Sequence, residues 1–371
     1  MTGHESYIDE ALALAVRGRG WVSPNPMVGA VVVRNGKVIG RGWHKQFGGP
    51  HAEVFALEEA GSDARGATLF CTLEPCNHTG KTPPCVQTVI KAGIAELVLG
   101  ARDPNPVAAG GVEALRAAGV NVMLGVREKE CRALNAAFFK HAITGIPLVT
   151  LKWAMTADGK IATASGDSKW ITGEPAREFA HRLRGEHDAV MVGIGTLLAD
   201  DSKLNCRCLQ FGDGQPIRQP RRIIIDPSAR VPATASLWSA NGGKVIVVCG
   251  KTASQDKVAA LRTIGAEIIQ LSMQEGKMPL NELLQELGKQ GIQSVLVEGG
   301  SRLLGSFVDA RLGDRACVFI APRIIGGQSS ITAVGGHGAQ MVSEGLEFKT
   351  PSTEVIGSDV LISGGLSKWC E

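Results

Sequence analysis

With 371 residues, 44% hydrophobic and 20% charged, the chain reads as globular and long enough for two domains of ordinary size. Its formal net charge of +3, from 39 basic and 36 acidic side chains, lacks the strong basic block of a nucleic-acid or membrane-surface binder. No apolar run is long enough to span a bilayer and the polar, acidic stretch Met1–Glu10 has no apolar h-region, so a cytoplasmic protein is expected, without membrane or nucleic-acid partners. Nine cysteines, an odd number spread along a large chain, point to reduced thiols rather than a disulfide scaffold.

In chain order, Glu5 to Arg19 reads as a helix, with Ile8, Leu12 and Ala15 at helical spacing. Val28–Val33 and Lys37–Trp43 read as strands joined by Asn35-Gly36, a strong hairpin signal. Helices are expected over Ala52–Ala60 and Pro84–Ala92, the second with prolines at its start, and strands over Thr68–Leu73 and Leu97–Gly100. Val112–Ala118, Val120–Leu124 and Glu128–Ala142 continue as helix, strand and helix. This alternation after an opening hairpin predicts an α/β sandwich. Thr144-Gly-Ile-Pro147 interrupts it and sets the expected domain boundary, 1–145 and 146–371.

The second half opens with a strand at Leu148–Met155. It alternates again, with strands near 188–193, 222–226, 244–248, 266–270, 294–297 and 315–320 and helices near 174–184, 253–264, 279–289 and 301–310. The stretch 201–220, with Gly212, Gly214, Pro216 and Pro220, reads as an irregular loop.

Three segments carry metal chemistry. Pro50-His51-Ala52-Glu53 opens a predicted helix, Glu74-Pro75-Cys76 closes a predicted strand, and Cys85 opens the next helix. One imidazole and two thiolates suit zinc and leave a fourth position open, as catalytic zinc requires. Zinc acidifies water enough to supply hydroxide at neutral pH. Glu53, two residues past His51, is placed to take a proton from water and pass it to a leaving amine. This is the nucleobase-deaminase arrangement, with eight residues between the cysteines instead of two. The competing reading is a structural zinc site with His78 as fourth ligand, which has no use for Glu53.

Ser23-Pro-Asn-Pro-Met-Val-Gly29, His51-Ala-Glu-Val54 and Glu74-Pro-Cys-Asn-His-Thr-Gly-Lys-Thr-Pro-Pro-Cys85 resemble the deaminase half of the bifunctional riboflavin-biosynthesis deaminase/reductase family, in which the longer gap between the cysteines is the norm. The resemblance implies a cytidine deaminase-like α/β/α sandwich, zinc on His51, Cys76 and Cys85, and Glu53 as proton shuttle. The implied substrate is 2,5-diamino-6-ribosylamino-4(3H)-pyrimidinone 5′-phosphate, which loses its 2-amino group. Asn25 stands as a ligand of the pyrimidine edge or as a turn residue. His44 is a candidate to approach the substrate or a surface histidine; His78 and Lys81 are candidates for its phosphate or members of a solvated loop. Phe55 departs from the polar residue frequent in the family.

In the second half, Val295-Leu-Val-Glu-Gly-Gly300 before a helix lets backbone approach a phosphate at a helix N-terminus. Val192-Gly-Ile-Gly195-Thr196 begins like a dinucleotide fingerprint, but Leu198 replaces its third glycine, which disfavours a Rossmann domain. Leu151–Ala162, Ser168-Lys-Trp-Ile-Thr172 and Gly195–Asp201 are similar to the reductase half of the same family. This implies a dihydrofolate reductase-like α/β domain that uses NADPH to reduce the ribosylamino group to ribitylamino. Carried over by position, Ala154, Trp170, Thr196, Asp200 and Gly299, Gly300, Ser301, Arg302, Leu303, Leu304, Gly305 and Ser306 would contact NADPH. Ser168, Arg184, Leu204, Arg207 and Glu298 would contact the substrate, with Arg184 and Arg207 as phosphate clamps. Asp158 reads as a turn residue near the cofactor motif, Ser202 replaces a usual proline, and Cys206 and Cys208 read as incidental. Similar enzymes associate, so a homo-oligomer is expected.

Three other readings remain in view. One is a deaminase whose second domain only binds nucleotide or builds an oligomer, against which Trp170, Arg207 and Glu298 speak. The others are an RNA base deaminase, which needs an electrostatic footprint this charge balance does not offer, and a non-enzymatic zinc module.

Overall fold

The computed structural model describes residues 3–80, 83–207 and 218–370. They form two compact units, one running through Gly145 and the other beginning at Ile146. No described helix is long and apolar enough to cross a membrane.

The first unit contains α1 (Gly3–Val16), β1 (Gly29–Arg34), β2 (Lys37–Trp43), α2 (Ala52–Ala60), β3 (Thr68–Leu73), α3 (Cys85–Ala92), β4 (Glu96–Ala101), α4 (Gly111–Ala117), β5 (Asn121–Leu124), α5 (Glu128–Leu134) and α6 (Ala136–Thr144). Its sheet runs β2-β1-β3-β4-β5; β1 is antiparallel to both neighbours and β3, β4 and β5 are parallel. Asn35 and Gly36 turn the hairpin with φ of 50° and 73°, the left-handed conformation its two-residue loop needs.

Two glycines place helices on opposite faces of this sheet. Gly29 pairs with Trp43 and Ala30 with Gly42, so Gly29 and Gly42 point to opposite sides. A Cβ at Gly29 would meet the Ala11 carbonyl of α1 at 1.9 Å; one at Gly42 would meet the Ala52 carbonyl of α2 at 2.1 Å. Both helices therefore lie backbone against strand. Along α2, Ala52, Ala56 and Ala60 recur at four-residue spacing and are buried, a small-residue stripe that permits this approach. Between the layers, Ile8, Val31, Phe70, Val98 and Leu99 belong to one apolar core.

The single helix expected over Glu128–Ala142 is two, divided at Asn135. The buried Asn135 side chain turns to the backbone of Met27, donating to its carbonyl and accepting from its N–H, each at 2.8 Å. Here a tertiary hydrogen-bond pair overrides helical periodicity.

The second unit comprises β6 (Leu148–Thr156), β7 (Lys160–Ala162), α7 (Glu174–Glu186), β8 (Ala189–Gly193), α8 (Ile194–Asp200), β9 (Arg221–Ile225), α9 (Ser236–Ser239), β10 (Val245–Gly250), α10 (Gln255–Thr263), β11 (Glu267–Leu271), α11 (Leu280–Lys289) and β12 (Ser294–Val297). It ends with α12 (Ser301–Asp309), β13 (Arg315–Ala321), β14 (Ile331–Thr332), β15 (Lys349–Ile356) and β16 (Asp359–Gly365). The main sheet is ordered β11-β10-β9-β8-β12-β6-β13-β16-β15, parallel from β11 to β13 and antiparallel beyond. Strand β12 returns to lie between β6 and β8, which makes a topological switch point there.

The near-fingerprint at Val192–Thr196 is the end of β8 running into α8. Several elements are absent from the sequence reading: β7, α8, α9, β14, β15 and β16. Strand β15 is polar, contains Pro351, and is exposed at the sheet edge, where proline is tolerated and no core imposes alternation. Part of the stretch 201–220 lies outside the described residues; the rest carries no regular element.

Gly42→Ala should lower the urea unfolding midpoint of the first unit by the equivalent of about 1–3 kcal/mol, because the added methyl meets backbone rather than a yielding side chain. It should also weaken zinc retention, since α2 carries His51 at its start.

Candidate active sites

His51 immediately precedes α2 with extended backbone (φ −82°, ψ 170°), and Glu53 falls in the first helical turn. Cys76 follows β3 after Glu74-Pro75, and Cys85 is the first residue of α3. His51 Nδ1 lies 3.1 Å from Cys85 Sγ and 3.6 Å from Cys76 Sγ, and all three ligand atoms fall within 4.8 Å of one another. A tetrahedral zinc with bonds of about 2.0–2.3 Å separates such ligands by about 3.5 Å, so the set fits the metal. Among the described residues the ligand cluster holds these three alone; His78 lines the neighbouring cavity instead of joining them. Lys81 lies outside the described residues.

Hydrogen bonding from Cys85 and His51 lowers the Cys76 thiol, and the same bond together with burial raises Cys85. Glu53 is 2% exposed. Burial raises its carboxyl, opposed by the charge of His51. Its Oε2 has no hydrogen-bond partner among the described residues. A buried carboxyl oxygen left open beside three converging ligands is the group that a water or a leaving amine would engage.

The cavity over this cluster measures about 290 Å³ and is lined by Asn25, His44, Glu53, His78, Asp103, Asn105 and Phe138 among others. His44 is buried beneath it, not at the surface. Its Nδ1 donates to the Pro50 carbonyl at 2.9 Å, so its Nε2 accepts from Asn25 Nδ2 at 3.0 Å. Burial lowers the His44 pKa, which keeps this neutral tautomer. Asn25 is thereby oriented with its amide oxygen as the remaining acceptor. Across the cavity, Asn105 Oδ1 accepts from the Val107 N–H at 3.1 Å, leaving its amide N–H groups as donors. Phe55 packs under Lys45, whose Nζ is 4.2 Å from the ring centroid.

Asp103 and Asn105 are cavity residues that sequence reasoning missed. A signal was present: Pro104-Asn105-Pro106 repeats Pro24-Asn25-Pro26, and both asparagines face the cavity. Burial raises the Asp103 carboxyl to about 6.

In the second unit, residues meet at the C-terminal ends of the adjacent strands β8, β12 and β6. The Gly193 N–H donates to the Gly299 carbonyl at 2.9 Å, and a Cβ at Gly300 would lie 3.0 Å from Thr196 Oγ1. Gly299 has a φ of 107°, closed to other residues, and Gly300 leads into α12. Ala154 lies late in β6, and Asp200 ends α8. Trp170 is 60% exposed, stacked on Arg177 (4.7 Å), with its carbonyl accepting from Arg323 at 3.2 Å. Ser168 is half-buried in the same loop. Of the segment from Gly299 on, Leu303 and Leu304 point into the core and Gly305 abuts Gly335, while Ser301, Arg302 and Ser306 retain exposure. Asp158 accepts from Thr156 and from the Gly326 and Ile325 N–H groups, bonds that hold its carboxyl down to about 2 and mark it as a turn anchor.

Arg184, expected as a phosphate clamp, is already engaged. Its guanidinium is paired with both oxygens of Glu298, at 2.8 and 2.6 Å, and its remaining Nη1 donates to the Asn205 carbonyl. The two-pronged face that would grip a phosphate is taken. Arg207 stays exposed, and its Nε donates to His181 Nε2 at 3.0 Å. His181, missed in the sequence, is pulled down to about 4 by burial and by the Arg184 and Arg207 charges. Leu204 is buried, at 2% exposure, backbone included. Lys152, also missed, has its ammonium destabilised by burial and supported by Glu298.

Residues 1–101 match the family described as the cytidine and deoxycytidylate deaminase zinc-binding region, and 147–362 match the RibD C-terminal domain. The riboflavin biosynthesis protein RibD of Actinobacillus pleuropneumoniae is 42% identical over 357 residues, 96% of this chain and 93% of that one. Its counterpart in Aquifex aeolicus is 43% identical, covering 96% and 97%. This chain belongs to the RibD family. RibD of Acinetobacter baumannii superposes with a TM-score of 0.88 at 39% identity, covering 98% of each chain. The Thermotoga maritima structure, described as a diaminohydroxyphosphoribosylaminopyrimidine deaminase/5-amino-6-(5-phosphoribosylamino)uracil reductase, does so at 0.83 and 37%, covering 97% of this chain and 98% of that one. As a RibD-family protein, the chain is a bifunctional deaminase and reductase of riboflavin biosynthesis with a zinc-binding deaminase unit.

Glu53→Gln should keep its zinc, measured by atomic absorption, and lose deamination by about 10²–10⁴-fold, the usual worth of a general acid–base. The Arg184–Glu298 pair sets a second expectation. Burial pushes the Glu298 carboxyl up, but Arg184 more than offsets this and holds it down to about 2. A folded pKa below the unfolded one means stability present above about pH 4.3 and lost as pH falls through the folded value. Urea midpoints of the wild type and Glu298→Gln should therefore differ at neutral pH and converge between about pH 4.5 and 2.

Proposed function

We propose that residues 1–145 deaminate 2,5-diamino-6-ribosylamino-4(3H)-pyrimidinone 5′-phosphate and that residues 146–371 reduce its ribosyl group to ribityl with NADPH. The observation that carries the first step is the meeting of His51, Cys76 and Cys85 beside the open Oε2 of Glu53. Zinc held there would supply Lewis acidity that ionises water near neutral pH. Glu53 accepts a proton from the attacking water and returns it to the 2-amino group, which departs as ammonia. The Asn25 carbonyl and the Asn105 amide N–H groups offer an acceptor and donors to the edge of a pyrimidinone ring.

For the second step, the cofactor supplies hydride to C1′ of the opened ribose, and the chain's task is to hold the two together. The switch point after β12, with Thr196, Gly299 and Gly300 in contact and the exposed ring of Trp170 on the loop before α7, supports this placement. Ala154, Asp200 and the exposed part of Ser301–Ser306 complete the proposed cofactor contacts. Ser168, Leu204, Arg207 and the Arg184–Glu298 pair form the proposed substrate side, with Arg207 as phosphate ligand.

The described cysteines are all free thiols, which agrees with work in the cytoplasm. Among the described residues the exposed strand β15 lies at the sheet edge, which supports a homo-oligomer.

Mass spectrometry of the zinc-loaded protein with the diaminopyrimidine ribosyl phosphate tests both steps. Exchange of the amine for oxygen is expected without NADPH, and two further hydrogens only with it. Deamination with no NADPH-dependent mass change would leave the second unit as a binding or assembly module.

A further inference from the structure

Between the end of β4 and α4 the chain makes a loop, 102–110, that carries Asp103, Asn105 and Ala108 into the cavity wall. Its neck is closed from the segment after β3, by Glu74 and by Asn77, whose Nδ2 donates to the Gly110 carbonyl at 3.5 Å. Glu74, 4% exposed and two residues before Cys76, accepts the Asp103 N–H on Oε2 at 3.1 Å and the Val112 N–H on Oε1 at 2.9 Å. The backbones are equally close: a Cβ at Gly111 would lie 2.0 Å from the Pro75 carbonyl. The Asn77 N–H donates to the Ala108 carbonyl at 3.0 Å, tying the far side of the loop to the residue after Cys76.

We propose that Glu74 is a positioning residue of the deaminase. By closing this loop, it sets the spacing between Cys76 and the Asp103–Asn105 wall, and so the pose of the substrate ring over the reacting centre. Asp103 fixes the tip in turn, its Oδ1 accepting the Asn105 N–H at 2.8 Å. The role calls for a carboxylate. Two backbone donors point at one group, and each oxygen of an ionised carboxylate can accept one of them. Glutamine has the same shape but offers one acceptor, and turns an N–H against the second donor. The loop would then pivot about one end while Cys76 stays anchored by the backbone, its carbonyl accepting from Val86 N–H at 3.3 Å.

The proposal rests on the deaminase reading above, and wild-type deamination is the control for that reading. The test uses the full zinc-loaded chain as wild type, Glu74→Gln, Asn105→Ala and the double variant. Zinc content, urea midpoint, NADPH oxidation with the deaminated substrate, and kcat and KM for deamination are measured on each. Glu74→Gln is expected to keep its zinc and its reductase rate, and to raise the deamination KM by about 10- to 100-fold with a much smaller change in kcat. The double variant should be no worse in KM than the worse single one, because both act through the same wall. Loss of zinc, failure of the deaminase unit to fold, an unchanged KM, or effects that multiply in the double variant would each overturn the positioning role. A wild type that keeps zinc but does not deaminate would instead overturn the reading beneath it, and the proposal with it.

Discussion

Helix α2 touches strand β2 backbone to backbone, and the deaminase chemistry depends on that contact. At Gly40 and Gly42 there is no room for a Cβ, and the helix answers with alanines at Ala52 and Ala56. A helix seated this closely has little freedom to slide or roll. Its first turn, with His51 just before it and Glu53 within it, is therefore placed by the sheet rather than by a loop. Cys85 opens α3, while Cys76 lies three residues past the end of β3, held there by the backbone bond from Val86 N–H to its carbonyl.

The remaining walls are irregular backbone, and irregular backbone must find its hydrogen bonds elsewhere. In each case a buried polar side chain supplies them. Asn135 clamps Met27, two residues from Asn25. His44 is held by Pro50 and in turn orients Asn25. Glu74 closes the 102–110 loop. The second unit uses the same device: the buried guanidinium of Arg222 donates to the carbonyls of Lys203, Leu237 and Gly243, and so fixes the approach to Leu204 and Arg207. These side chains hold loops in place, and His44 and Glu74 also line the cavity.

Arg184 and Glu298 show how such pairing changes a role. Each looks like a substrate ligand when considered alone, and an arginine fork suits a phosphate. Together they satisfy one another, and His181 and Asn205 link them to Arg207. A buried ion pair of this kind keeps a neighbouring lysine, Lys152, beside a fixed negative charge. Arg207 lies exposed beside this cluster.

Much of this protein was legible in its sequence, because much of it is set by local chemistry. Zinc favours His and Cys, a proton shuttle is commonly a carboxylate, and a hairpin turn must tolerate positive φ, so His51, Cys76, Cys85 and Glu53 stand out as candidates and Asn35-Gly36 as a turn. The bounds of α2 and β3 follow from periodicity against a core, and the long motifs placed the chain in its family. The sequence was silent where a residue's meaning comes from its partner. Nothing near Asn135 announces that it breaks a helix to bind Met27, nor anything near Glu74 that it spans Asp103 and Val112. The Arg184 fork reads as free until Glu298 fills it. Strand β15 has no apolar face to reveal it, since it is defined by the ladder of β16. Local rules select residue types and short-range structure, but which buried polar groups meet, and which are left to meet a ligand, is decided by the tertiary fold, because each must be satisfied by whatever the packed chain brings within hydrogen-bonding distance.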